Sequence, residues 1–324
     1  MQLLRHDINF NFMGRRRLAV TMAATALVAL VCLGSLVTRG LDLGLDFTRG
    51  VLMELGSDGP ADLDAIRSTL AAEGYAGATV QNFGTASEVL IRLPPDQLGV
   101  EAAGGGAAQA DAAVALANRV ETTLQAVDPS LAQSRPADFV GPQIGEELVE
   151  QGGQAMIYAV LMIFLYVVVR FRWKFAVGAI VALAHDMILT FGFLSLTGID
   201  YDQTVLAAML AVIGYSLNDK VVVFDRIREN FRLIRRGTPE AIINTSINQT
   251  LARTIVTGVT TLLVLSALYF IGGSALQGFS ITLIVGIIVA TYSSIYVASA
   301  ATLWLNLSTV DMLPPKREAV DDMP

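Results

Sequence analysis

Apolar and polar positions follow two different rhythms along this chain. Six long apolar runs occupy Leu18–Val37, Gln154–Val169, Phe175–Leu196, Gln203–Phe224, Ile255–Ile271 and Phe279–Leu303. Runs of that length match the roughly 20 helical residues that cross a hydrocarbon core of about 30 Å. They predict six transmembrane helices. Between the first and second runs the rhythm shortens. Leu45–Leu55 reads as an apolar strand. Ala61–Glu73 has helical spacing, with Leu63, Ile66 and Leu70 on one face and Gly74 ending it. Thr79–Phe83 and Val89–Leu93 read as a hairpin around Gly84-Thr85, and Pro94-Pro95 closes the unit. Glu101–Ala108 is Ala/Gly-rich and reads as a mobile loop. Asp111–Val127 is a second amphipathic helix, and Asp138–Val140 begins a last strand. The order β-α-β-β-α-β predicts a ferredoxin-like α+β domain.

The division that follows is a tail at 1–17, a first span at 18–37 and an α+β domain at 38–153. Five further spans fill 154–304 with an Arg-rich loop at 225–252, which has helical periodicity (Ile227, Phe231, Ile234) and a break at Gly237-Thr238-Pro239, and a tail covers 305–324. Gly152-Gly153, just before the second span, is a candidate hinge. The first run is too long for the 7–15-residue core of a signal peptide, and no A-x-A site follows it, so it is expected to remain as a span.

Composition agrees with the membrane reading. Apolar residues make up 53% and charged residues 16%, against about 25% charged in soluble domains. The net charge of −7 conceals a division. Residues 39–152 hold 6 Lys/Arg against 17 Asp/Glu, while the remainder holds 16 against 12. Acid is gathered in the soluble domain, which makes nucleic acid an unsuitable partner. Base flanks the spans: the N-terminal tail, 170–174 and 225–236 carry it, whereas 197–202 and 272–277 carry none. By the positive-inside rule both termini and the basic loops are expected in the cytoplasm, with the large domain across the membrane. One cysteine, Cys32, and two histidines, His6 and His185, leave no cysteine- or histidine-rich metal site. No G-x-x-x-x-G-K-[ST] phosphate loop is present, and the soluble domain shows no catalytic constellation.

The chemistry with the clearest physical motive lies inside the fourth run. Asn218, Asp219 and Lys220 interrupt it. An intramembrane charge costs about 2.5–3.5 kcal/mol on insertion scales. Asp219 stands five residues before Phe224, about 8 Å inside the boundary at 1.5 Å per residue. Its single methylene cannot reach the headgroups, so it needs a partner, a water-filled cavity or a proton. Lys220 has a stem long enough to snorkel. Arg253, near the start of the antiparallel fifth span, is the partner expected for Asp219. A proton- or ion-handling pair and a structural charge pair both remain open from the residues. His185-Asp186, midway along the third span, is read either as a relay or as interhelical hydrogen bonding; adjacent on a helix, the two side chains need not touch. The small-residue stripe Gly286, Ser293, Ser294 and Ala298 of the sixth span reads as close packing. Asp225, Arg226, Arg228 and Glu229 read as anchors at the span end.

Several segments together are similar to one family. GLDFTRG at 44–50, VGPQIGEEL at 140–148, AHD at 184–186, GYSLND at 214–219, FDRIREN at 224–230 and SSIYVASA at 293–300 resemble motifs of the SecD/SecF family. The resemblance to its SecF branch covers nearly the whole chain. It implies a six-span fold akin to half of a resistance-nodulation-division exporter, paired with SecD and associated with the SecYEG channel and YajC. It implies a non-enzymatic auxiliary of the bacterial inner membrane that uses the proton-motive force to draw unfolded preprotein across. No cofactor beyond the ion gradient is implied, and sodium in place of protons stays open. The family's functional acid and arginine fall on Asp219 and Arg253. Two positions depart from the pattern: Lys220 replaces a small or hydroxyl residue, and Arg49 replaces a glycine. The rival readings are a proton-driven exporter of small molecules or lipids, which would ask for twelve spans and a larger soluble domain, and a passive scaffold.

Overall fold

The computed structural model describes residues 10–48, 50–83, 85–94, 106–140, 142–171, 173–234 and 237–307. Arg49, Gly84, Pro95, most of the 101–108 loop, Arg172 and the outer parts of both tails lie outside these residues. The chain begins with α1 (Arg15–Thr38) and a short turn of helix, α2 (Leu45–Thr48). The soluble domain then runs β1 (Gly50–Gly56), α3 (Leu63–Ala72), β2 (Thr79–Phe83), β3 (Thr85–Leu93), α4 (Gly106–Gln125), β4 (Ala132–Gln133) and β5 (Asp138–Val140). The bundle follows with α5 (Pro142–Arg170), α6 (Trp173–Thr197), α7 (Gln203–Leu233), α8 (Pro239–Ile271), α9 (Gln277–Ile295) and α10 (Val297–Trp304).

The expected β-α-β-β-α-β order is present. The sheet runs β2-β3-β1-β4, with β5 also paired to β1, and these pairings are all antiparallel. Alternate residues of a strand share a face. Val51, Met53 and Leu55 of β1 therefore point the same way, beside Val89, Ile91 and Leu93 of β3. Ile66 and Leu70 of α3 and Leu116, Val120 and Leu124 of α4 close over that face as one core. Asp62 caps α3 by accepting from the Asp64 and Ala65 amides, both at 3.1 Å, which explains why the helix starts two residues later than its periodicity alone suggests.

Two expectations about the domain's edges are corrected. The strand expected from Leu45 begins at Gly50, because residues 45–48 turn as α2. Gly50 has φ +118°, and a Cβ there would collide with the Leu93 carbonyl; only glycine accepts both conditions. Gly106–Ala108, read as loop, already belong to α4.

Among the described residues, six helices have the length and apolarity to cross a membrane: Arg15–Thr38, Glu147–Arg170, Trp173–Thr197, Gln203–Leu233, Pro239–Ile271 and Gln277–Trp304. The second starts earlier than expected. Gly152 and Gly153 sit inside α5, which continues unbroken through them, so no break marks a hinge there. Gly152 serves close approach instead: a Cβ would meet the Leu206 side chain of α7 at 2.8 Å. The fourth and fifth spans outrun the bilayer. The helical periodicity read in the Arg-rich segment is present, as a continuation of these two helices, and the break expected at Gly237-Thr238-Pro239 is where Thr238 and Pro239 restart the helix as N-cap and first residue of α8.

Burial separates the spans into two groups. About half of the residues in the apolar windows of α6, α7 and the α9–α10 span are buried, against 11–17% in α1, α5 and α8. The inner three pack through small residues, as helices in lipid must when apolar surface gives no preference for protein over lipid. A Cβ on Gly286 of α9 would collide with Val212 of α7, and one on Gly192 of α6 with Cys32 of α1. The expected stripe Gly286, Ser293, Ser294 and Ala298 is buried.

Candidate functional site within the bundle

The inner helices enclose three charged side chains. Asp186 of α6 and Lys220 of α7 are fully buried, and Asp219 of α7 is 7% exposed. Their arrangement follows from helix geometry. Cα–Cβ bonds tilt toward a helix's N-terminus, so a long side chain lies back over the residue four positions earlier. The N-terminal end of α7 is the end near the soluble domain. The Lys220 stem therefore runs inward, away from the nearer membrane boundary, and over Ser216. The snorkelling expected for Lys220 is corrected on this ground. Its ammonium donates to Asp186 Oδ2 at 2.6 Å and also contacts the Ser216 hydroxyl.

Asp186 is saturated by its neighbours. Ser216 donates to the same Oδ2 at 2.6 Å. His185 Nδ1 lies 3.0 Å from Oδ1, so the adjacent pair, which need not touch, does. Facing a carboxylate, that nitrogen must carry the proton, which leaves Nε2 as an acceptor in the neutral ring. Nε2 is buried without a hydrogen-bond partner among the described residues. The His185 ring lies 6.5 Å from that of Tyr292, whose hydroxyl is 2.6 Å from Thr25 of α1.

Asp219 is built differently. Thr254 of α8 donates to its Oδ1 at 2.9 Å. Oδ2 is buried with no hydrogen-bond partner among the described residues. Ser294 of α9 is a near neighbour, and its hydroxyl donates to the Ala290 carbonyl at 2.8 Å. Arg253, the expected partner, is exposed on α8, and no ion pair among the described residues joins it to Asp219. Successive helical residues point about 100° apart, so an inward Thr254 places Arg253 outward. Asn218 is likewise exposed. Sequence reasoning thus found Asp219 and missed Thr254, Ser216 and the Lys220–Asp186 bond. The available signal was the serine four residues before Lys220.

Below this level α7 and α8 are zipped by polar contacts. Arg226 donates to Gln249 at 2.7 Å, and Asn230 donates to Gln249 at 2.7 Å and to Ser246 at 2.8 Å. Arg170 at the end of α5 grips both oxygens of Asp225 at 2.9 Å. Residues 10–13 cross this region, where Asn248 exchanges two hydrogen bonds of 2.8 Å with the Phe10 backbone.

Residues 119–308 match the family described as protein export membrane protein SecD/SecF, C-terminal, and residues 34–61 match the SecD/SecF GG motif. The protein translocase subunit SecF of Pseudomonas aeruginosa is 47% identical over 316 residues, covering 97% of each chain. That of Vibrio alginolyticus is 43% identical over 328 residues, covering all of this chain and 99% of its own. Among solved structures, SecDF of Thermus thermophilus, described as translocon-associated, superposes with TM-score 0.79 at 37% identity. The match takes in 93% of this chain but 39% of that longer one. A second SecDF structure, in a super-membrane-facing form, gives a TM-score of 0.66 over 94% of this chain and 40% of its own.

Proposed function

We infer the work of this chain from its membership: it belongs to the SecD/SecF family, and its full-length relatives are SecF subunits of the protein translocase. It acts as the SecF half of a SecDF-type pair, consistent with covering only part of the longer SecDF chain. In this reading the pair lies in the bacterial inner membrane with the α+β domain outside the cytoplasm. It associates with SecYEG and YajC and uses the proton-motive force to promote preprotein translocation and release. It needs no cofactor beyond the ion gradient and performs no covalent chemistry.

The Asp219 carboxylate carries the reading. An ionised carboxylate seeks donors at both oxygens, and a protonated one needs an acceptor for its O–H. With one oxygen held by Thr254 and the other without a donor, neither form is fully served. A site so placed changes protonation when solvent access changes on one side or the other. One charge moving through 100 mV yields about 2.3 kcal/mol. A few such steps are enough to move a two-state element between its forms.

The test is preprotein translocation in oriented vesicles holding this chain with its SecD partner, at equal complex assembly. Asp219→Asn should abolish the acceleration given by an imposed proton gradient. If the acceleration persists unchanged in Asp219→Asn, Asp219 is structural and the reading fails.

A further inference from the structure

The turn joining α6 to α7 is the point at which the soluble domain grips the bundle. Arg92 of β3 forms an ion pair with Asp200 of the turn, and Gln81 of β2 donates to the same Asp200 oxygen at 2.8 Å. Both charged side chains are largely covered, with 17% and 21% exposed. Arg92 also donates to the Leu43 carbonyl at 3.2 Å. Beside this pair the backbones join: Tyr201 donates to the Asp42 carbonyl at 2.7 Å and Gly44 donates to the Tyr201 carbonyl at 2.8 Å. Phe47 stacks on Tyr201 with ring centroids 5.6 Å apart. Asp46 accepts from the Gln203 amide at 2.9 Å, which is the first N–H of α7, a group the helix itself leaves unpaired.

These contacts converge on the head of the helix that carries Asp219. From Gln203 to Asp219 the helix is continuous, about 24 Å at 1.5 Å per residue. A hydrogen-bonded helix of that length transmits tilt and translation as a rod. The covalent route through α5 is less direct, since it leads first to an outer helix of the bundle.

We propose that Arg92 and Asp200 are positioning residues for transport: they fix the soluble domain to the head of α7, so that movement set off at Asp219 reaches the domain through the 198–203 turn. This rests on the proton-coupled reading above. The burial of Asp200, which holds its carboxyl above the usual range despite the Arg92 charge, fits a contact sheltered from water. Asp42, Asp46, Tyr201 and Asp202 are the other titratable groups at this joint, so Arg92→Asp faces Asp200 with a like charge in an acidic setting, whereas Asp200→Arg sets two arginines together and frees them to pair with other acids, which breaks the joint's geometry.

The experiment compares Arg92→Asp, Asp200→Arg and the double exchange with wild type, in the full chain with its SecD partner in vesicles. Spin labels at Thr122→Cys in α4 and Ile271→Cys at the end of α8, with Cys32→Ala, report the domain-to-bundle distance distribution. Gradient-driven translocation is measured on the same preparations. Each single reversal should broaden the distribution and remove the gradient's acceleration, and the double exchange should narrow the distribution and restore at least half of the acceleration. Singles with a distribution as narrow as wild type overturn the joint, whatever their export rate. Singles that keep the gradient's acceleration within twofold overturn it as well. If wild type itself shows no gradient acceleration, the proton-coupled reading fails, and the joint is then judged by the distance distribution alone.

Discussion

Asp186 and Asp219 are two carboxylates in the same bundle, one helix apart, and they are treated in opposite ways. Asp186 receives an ammonium, a hydroxyl and an imidazole, and none of it is exposed. Asp219 receives one hydroxyl, with its second oxygen buried and unmatched among the described residues. A saturated buried charge has one comfortable state and holds helices in register. A half-served one is fully satisfied neither ionised nor protonated. On the reading proposed above, the first carboxylate is structural and the second handles the ion, a contrast that owes nothing to residue type, since both are aspartates.

The most damaging way to disturb this contrast is to strip Asp186 of its cation. Lys220→Met leaves a buried carboxylate unpaired, and breaking such a pair from one side costs about 3–5 kcal/mol. The expected outcome is a large drop in the thermal aggregation midpoint in detergent, with most of it recovered when Asp186→Asn is added. A recovery is expected because a neutral amide in place of the second charge removes the desolvation penalty along with the attraction. If Lys220→Met leaves the midpoint unchanged, the two aspartates are not different in kind.

Ser216→Ala ranks next. It removes a neutral donor from a charged acceptor, worth roughly 1.5–3 kcal/mol for hydrogen bonds to charged groups, while the Lys220 contact remains. The midpoint should fall by less than in Lys220→Met, and gradient-driven export should survive in proportion to folded protein. Asp219→Asn is the counterpart on the other side of the comparison. It should change stability by at most about 1 kcal/mol, the net value of one ordinary hydrogen bond, and so shift the midpoint little, while the proposed reading expects it to remove the gradient's acceleration. A destabilisation equal to that of Lys220→Met would return Asp219 to a structural role.

How much of this was legible in the residues differs between the fold and the site. Period and length in the apolar runs located six spans, and alternation in Val51, Met53 and Leu55 located the sheet, because burial there depends on spacing alone. The boundaries were less legible. The helices α5, α7 and α8 continue through Gly152-Gly153 and through most of the Arg-rich segment, since a helix outside the bilayer needs only capping and polar side chains to persist. Within the site, Asp219 stood out because a short side chain cannot escape the membrane by itself. The residue that hydrogen-bonds to it in this structure lies one position from the arginine expected. Arg253 and Thr254 are neighbours in sequence but face different ways around α8, and a charge offers a more obvious match than a hydroxyl. Lys220 was misdirected because stem length was weighed without the direction in which a helix aims it. The joint at Asp200 had no signal at all: Arg92 and Asp200 are 108 positions apart, and nothing local marks either.

The smallest effect expected on the comparison comes from Thr254, and it is the most selective. Thr254→Val keeps the shape of the side chain and removes the hydroxyl that donates to Asp219 Oδ1. Thr254 is buried and Asp219 keeps some exposure, so the stability change should stay at the low end of the roughly 1.5–3 kcal/mol of a hydrogen bond to a charged group. The consequence for transport is larger than for folding. Without the hydroxyl the ionised carboxylate loses its Oδ1 donor, so the balance between its two protonation states shifts, and the gradient's acceleration of export should fall several-fold while the gradient-independent rate holds. Thr254→Ser restores the donor with a smaller side chain and should restore the acceleration. Arg253→Gln, one residue away, is exposed and leaves that hydrogen bond in place. If it removes the acceleration while Thr254→Val spares it, the working partner of Asp219 is the arginine, reached in a conformation other than this one, and the hydroxyl is merely packing.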